Sequence, residues 1–290
     1  MKSQHLRYLI ELNLAILFIS TSGPLGKFIS KPPPITIWLR CFFAGIFLGL
    51  FVWYKKINLK IVNTKDLKTI VISSLFFGIH WTTYFYALHL SNVAIGMLSL
   101  FTYPVFTALL EPIFFKTKLN KTHVLLGFIV LIGIYFLTPD FNINNNYTQG
   151  VIFGVISSVF YSIRNILLKK KVAKYHGSML MFYQMGIVSV VLWPVFFIFD
   201  ATPSIDDWSA LLILALLTTA IGHTLFVMSF KNFSISTASI MSSIQPIYGI
   251  LLGVIFLNEI PASKTIIGGL LIISTVVVES FLSNKRRKLI

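Results

Sequence analysis

Acidic side chains are scarce in this chain. Nine Asp and Glu stand against 24 Lys and Arg in 290 residues, and charged residues make up 11% of the total, where soluble domains carry about a quarter. A soluble enzyme is thereby excluded. Cysteine is nearly absent: Cys41 alone, inside an apolar run, rules out an intramolecular disulfide and leaves the redox compartment unread. Long polar stretches are also missing. Ten hydrophobic spans of roughly 20 residues would use about 200 positions, leaving no room for a separate soluble domain. No glycine-rich loop ending in Lys-Ser or Lys-Thr is present, which argues against direct ATP coupling. Neither an HExxH pair nor clustered aspartates occur, which weakens the rival reading of a membrane enzyme acting on a lipid or isoprenoid.

What is present is apolar: 56% hydrophobic residues, 27 Phe and a mean hydropathy of +0.83. Runs long enough to cross a bilayer fall near 6–28, 35–54, 67–89, 93–115 and 121–138, then near 148–169, 177–199, 208–230, 235–257 and 263–282. Barrel strands would alternate with polar residues, so continuous apolarity predicts helices. The first span follows Lys2 and Arg7 but exceeds a signal-peptide core, and no small-residue cleavage pattern follows it. It is read as a membrane helix. With the N-terminus inside, 19 Lys and Arg flank the spans on the cytoplasmic side and only Lys27, Lys31 and Lys264 lie outside. Both termini are therefore expected in the cytoplasm, and the basic tail is read as a topology anchor on anionic lipid rather than a nucleic-acid patch.

Sliding the chain against itself by 142 residues aligns Pro104 with Pro246, Leu109 with Leu251, Leu110 with Leu252, Ile113 with Ile255 and Phe114 with Phe256. Five identities in eleven positions indicate duplication. Residues 1–140 and 147–284 are thus expected to form two five-helix repeats, with 285–290 a basic cytoplasmic tail. Because five is odd, the second repeat enters from the opposite side, giving an inverted-topology pair of the kind found mainly in transporters.

The segment SSIQPIYGILLGVIFLNEIPASKTIIGGLLII, with Glu259 thirteen residues after Pro246, and its earlier counterpart FTYPVFTALLEPIFFKTKLNKTHVLLGFIVLIG resemble the repeated unit of EamA-type members of the drug/metabolite transporter superfamily. In the earlier copy Thr117 stands at the acidic position and an acid comes earlier, at Glu111. ITIWLRCFFAG resembles the family's arginine-bearing second helix through Arg40. IGHTLFVMSFKNFS resembles a glycine-histidine variant through Gly222 and His223. The resemblance implies an all-α membrane protein of ten helices and a secondary transporter of a small organic solute, an amino acid or metabolite, moved outward by alternating access.

Candidate site residues follow from the midplane. Pro104 and Pro246 each remove a helical hydrogen bond near the centre of a span, and polar small residues crowd the breaks: Ser99 and Thr102 at the first, Ser239, Ser242 and Ser243 at the second. Broken helices meeting at midplane point to a transport site. His80, Trp81 and Tyr84 lie in the third span and His223 in the eighth, with Trp81 and His223 equivalent at the 142-residue offset. Tyr103 and Gln245 stand just before the two prolines. Either histidine could instead be a neutral group bonded to a neighbouring helix. Arg40 has two readings, outward snorkelling or a carboxylate grip in the outer vestibule, with Gln184 as its neutral counterpart in the second half. Arg164 is expected to snorkel toward Lys169. Glycine pairs such as Gly249 and Gly253 are read as close helix packing, with Gly249 also a gating candidate.

No acid falls at midplane, so no carboxylate proton relay is expected, and no third histidine or cysteine completes a zinc site. No cofactor is expected. The partners expected are a small organic solute and the lipid bilayer, with no nucleic acid, and the location is the cell membrane of a bacterium, its inner membrane. A non-transporting receptor is the remaining rival.

Overall fold

The computed structural model describes residues 2–116, 121–137, 142–199, 203–233, 238 and 241–287. Among these residues all regular structure is helical. The helices are α1 (Lys2–Ser20), α2 (Ser22–Phe28), α3 (Pro33–Tyr54), α4 (Thr64–Leu90), α5 (Val93–Leu100), α6 (Tyr103–Phe115), α7 (Lys121–Leu137), α8 (Asn146–Val172), α9 (Gly177–Leu192) and α10 (Ile205–Ile213). Then come a π-helical segment (Leu214–His223), α11 (Thr224–Ser229), α12 (Gln245–Leu257) and α13 (Ser263–Arg287).

Seven segments are long and apolar enough to cross a membrane, from Leu6–Phe28 to Ile205–Ser229. The fifth, ninth and tenth expected spans correspond to shorter apolar helices, Val124–Leu137, Ser242–Leu257 and Ser263–Val278. The perimeter is apolar, with Phe197, Ile205 and Ile260 each more than four-fifths exposed. Such a surface suits hydrocarbon rather than water, and the chain is a multi-pass membrane protein.

Local sequence sets the helix ends. Pro33 and Pro34 open α3, where missing N–H groups cost nothing. Asn63 accepts the Asp66 N–H at 2.8 Å and Asn92 the Ile95 N–H at 2.9 Å, capping α4 and α5. The two proline breaks differ in form: two turn residues, Phe101 and Thr102, precede Tyr103, whereas a 3-10 turn, Ser242–Ile244, runs into Gln245, and each proline takes the second position of the following helix. Lys116 and Asn258, again 142 apart, end α6 and α12 in the left-handed conformation.

The helices pair across the chain's two halves: α3 runs along α9, α4 along α8, α5 against α12 and α7 along α13, while α1 packs on the π segment. Exchanging the halves leaves this set of pairings unchanged. Glycines permit the closest crossings. A Cβ on Gly268 would stand 2.6 Å from the Gly133 carbonyl oxygen, and one on Gly154 would collide with Ser99.

Candidate functional site

At the centre, helices from both halves enclose a cavity of about 20 Å³, room for little more than one water. Its wall carries Ser22, His80, Trp81, Tyr84, Met97, Phe101 and Tyr103 from the first half, and Tyr161, His223 and Gln245 from the second. The Pro104 break delivers Tyr103 to this wall and the Pro246 break delivers Gln245. Hydroxyls of α8 line the first break: Thr102 Oγ1 lies 2.9 Å from Ser158 Oγ, and Ser162 Oγ donates to the Tyr103 carbonyl at 2.8 Å.

His80 stacks on Tyr161 with ring centroids 4.4 Å apart. Its Nδ1 lies 2.7 Å from Ser157 Oγ, which itself donates to the His80 carbonyl at 2.8 Å. That reciprocal pair places the neutral ring's proton on Nδ1 and ties α4 to α8, as the packing reading supposed. His223 differs. It meets Trp81 and Phe77 edge to face, at 5.3 and 5.4 Å, and among the described residues its Nδ1 has no hydrogen-bond partner although the residue is buried.

Both arginines depart from snorkelling. Arg40 and Arg164 are 0% exposed. Arg40 donates from Nε to Thr219 Oγ1 at 2.7 Å and from Nη1 to Ser22 Oγ at 3.3 Å, with its guanidinium carbon 3.9 Å from the centroid of Trp81. Arg164 donates to Gln184 Oε1 at 2.6 Å and to Asn165 Oδ1 at 2.9 Å, and lies 3.9 Å from the centroid of Phe77. Both helices turn these faces inward, against α4 and the π segment or α9, so neither stem has a path to a headgroup. Burying an ion costs several kcal/mol. A desolvated cation–π contact returns about 2 kcal/mol.

Other candidates are placed as follows. Gln184 bonds Arg164 and, through Nε2, Ser73 Oγ at 3.2 Å. Arg164 falls opposite Ser22 at the 142-residue offset, so the Gln184–Arg164 contact joins the two helices of the second half that correspond to those joined by the Arg40–Ser22 contact in the first. Ser99 and Ser242 donate to carbonyls of their own helices, at Ile95 and Ala238, and do not line the cavity. Ser239 lies outside the described residues. Gly249 presses on Met97, whose sulfur would stand 2.0 Å from an added Cβ. Residues that sequence reasoning missed include Phe77, Ser22, Ser157 and Tyr161. The serines and tyrosine of 157–162 form a polar stripe on α8 that could have been noticed. The π segment, whose wider turn lets Thr219 Oγ1 donate to the Leu214 carbonyl five residues back, leaves no mark in the sequence.

Polar knots close both ends. At the basic end, Asp66 takes hydrogen bonds from Lys171, from Lys174 at 2.7 Å and from the Tyr175 hydroxyl at 2.6 Å. At the opposite end, Glu259 accepts the Val93 N–H at 2.7 Å and stands 4.0 Å from Lys27. There Asp207 accepts the Ser30 N–H at 2.9 Å and the Ser204 hydroxyl at 2.7 Å.

Comparison with known proteins agrees with this architecture. A protein of Archaeoglobus fulgidus named only as an uncharacterized transporter is 28% identical over 81% of this chain and 84% of its own length. The pseudopaline exporter CntI of Pseudomonas aeruginosa is 22% identical over 68% of this chain and 69% of its own. The S-adenosylmethionine uptake transporter of Rickettsia conorii is 24% identical over 82% and 79%. A solved crystal structure, 18% identical, aligns over 96% of this chain and 98% of that one with a TM-score of 0.70, which supports the fold. The EamA-like transporter family matches twice, at residues 8–138 and 148–281, and the chain belongs to that family.

Proposed function

We propose that this chain is a secondary transporter that exports a small organic solute, an amino acid or metabolite, by alternating access. The observation that carries the reading is the small aromatic cavity lined by buried residues of both halves, with a polar knot at each end. A carrier caught between its open states needs a site sealed from both sides. Two relatives of similar identity are named for opposite directions, exporter and uptake transporter; outward transport is this reading's choice.

In the same reading, 1–140 and 147–284 are five-helix repeats related by a two-fold axis in the membrane plane, and 285–290 is a basic tail. The paired proline breaks, the paired left-handed helix ends and the exchange-invariant helix pairings support it. In this reading both termini lie in the cytoplasm, which the bias of basic residues supports, and the protein sits in the inner membrane of a bacterium. His223, with its unpartnered Nδ1, contacts cargo; Arg40, Trp81, Tyr84, Tyr103 and Gln245 complete the site, and Pro104, Pro246 and Gly249 serve the gating motion.

The test is counterflow in proteoliposomes with solutes found by a stability-shift screen. The expected result is transport by the native chain and its loss in His223→Ala, which folds and inserts normally. Undiminished transport by His223→Ala and by Arg40→Lys together would move the site away from this cavity.

A further inference from the structure

Two guanidiniums are buried at the centre of the bundle, and among the described residues no carboxylate pairs with either. Their partners are neutral: hydroxyls, amide oxygens and ring faces. After these bonds Arg40 Nη2 and Arg164 Nε are still without an acceptor. A buried cation is retained at a cost unless something of opposite charge meets it. The two also stand at either side of one aromatic pair. Trp81 and Phe77 have centroids 3.9 Å apart, with Arg40 on the first ring and Arg164 on the second, each at 3.9 Å. Ring and cation contacts join this ladder to the cavity wall at Ser22, His80 and His223.

The two arginines do not occupy equivalent positions in the repeat. At the 142-residue offset Arg164 falls opposite Ser22 and Arg40 opposite Phe182, so each half supplies its guanidinium from a different helix. Two unrelated positions that converge on one aromatic wall point to a shared ligand.

We infer that the cargo is a flat organic dicarboxylate, with one acid group for each guanidinium and an unsaturated body that lies against the aromatic cavity wall of Tyr84, Phe101, Tyr103 and Tyr161. This deepens the transporter reading and rests on it. A carboxylate fits a guanidinium fork bidentately, and the unsatisfied N–H of each arginine is the donor it would take. Entry requires one end of the bundle to open, since the closed cavity holds little beyond a water.

The experiment measures binding to the purified full-length chain by thermal shift and equilibrium dialysis. The probes are terephthalate, benzoate, terephthalamide and benzamidine, which share a ring and differ in charge. The expected result is a rise in melting temperature with terephthalate and binding at least about tenfold weaker to benzoate, with no shift from the amide or the cation. Arg40→Gln and Arg164→Gln should each weaken terephthalate binding by about tenfold or more. Without ligand, both variants should melt no lower than the native chain, because each removes an uncompensated charge. Absence of terephthalate binding to the native chain overturns the inference. So does equal affinity for benzoate and terephthalate, or tight benzamidine binding that ignores both substitutions. A lower ligand-free melting temperature in both variants would assign the arginines to structure instead. Proteoliposome transport separates the two readings. Transport of a neutral or cationic solute would retain the transporter and discard the dicarboxylate, whereas terephthalate binding with no transport of any solute would do the reverse.

Discussion

The two ends of the bundle are closed by the same residue type used in different ways. At the basic end the Asp66 carboxylate gathers side chains, Lys171, Lys174 and Tyr175, which belong to the second half. At the opposite end the carboxylates of Glu259 and Asp207 bind backbone: the first N–H of α5 and the N–H of Ser30, both in the first half. Long lysine side chains can let go and re-form one by one, whereas a backbone cap holds only while two helix ends keep their relative place. In the proposed alternating-access cycle the basic end would release gradually and the other as a unit.

Asp66→Asn is expected to give the largest effect, since one substitution weakens three bonds and leaves Lys171 without its counter-charge. The check is thiol labelling of a cysteine placed at Val172, buried at that end, which should speed up strongly while labelling at Ile29, buried at the other, stays unchanged. Asp207→Ala comes next. It removes a capping box and the tie to Ser30, a loss of about 2 kcal/mol, read as a lower melting temperature with faster labelling at the opposite end only. Glu259→Gln should cost less, about 0.5–1 kcal/mol, because the amide oxygen can still accept from Val93 and only the charge is lost. The smallest effect belongs to His176, which caps α9 by accepting the Ser178 N–H at 3.2 Å on Nδ1. Burial, and then the neighbouring Lys231, hold its pKa below the usual histidine value. The unfolded chain thus binds the proton more readily, and the cap's contribution, present above the ordinary pKa of 6.5, is lost as pH falls through the lowered value. Melting curves should show a few tenths of a kcal/mol lost over that acid window in the native chain and no such slope in His176→Asn.

Much of the fold was legible because hydropathy and capping are local. The apolar runs mark the helices that the structure keeps, and the 142-residue register pairs the two proline breaks. The first span was read as one helix, yet it divides at Thr21 into α1 and α2. The cavity was legible in part. His80, Trp81, Tyr84, Tyr103, His223 and Gln245 reach its wall because a proline or a polar face places each one. A charge five residues from a span's end resembles a snorkelling anchor, and only packing against Phe77 and Gln184 reveals that the Arg164 face turns inward. The π turn at 214–223 depends on backbone hydrogen bonds that no residue type announces.

The central claim is that the two ends open in alternation around a shared cavity. Double electron–electron resonance on two labelled pairs, Lys65 with Ala173 at the basic end and Phe28 with Ile260 at the other, tests it most directly in lipid nanodiscs. The account predicts that Asp66→Asn lengthens the first distance and leaves the second short, while Glu259→Ala with Asp207→Ala lengthens the second and leaves the first short. Distances that grow together, or that ignore both sets of substitutions, would contradict it.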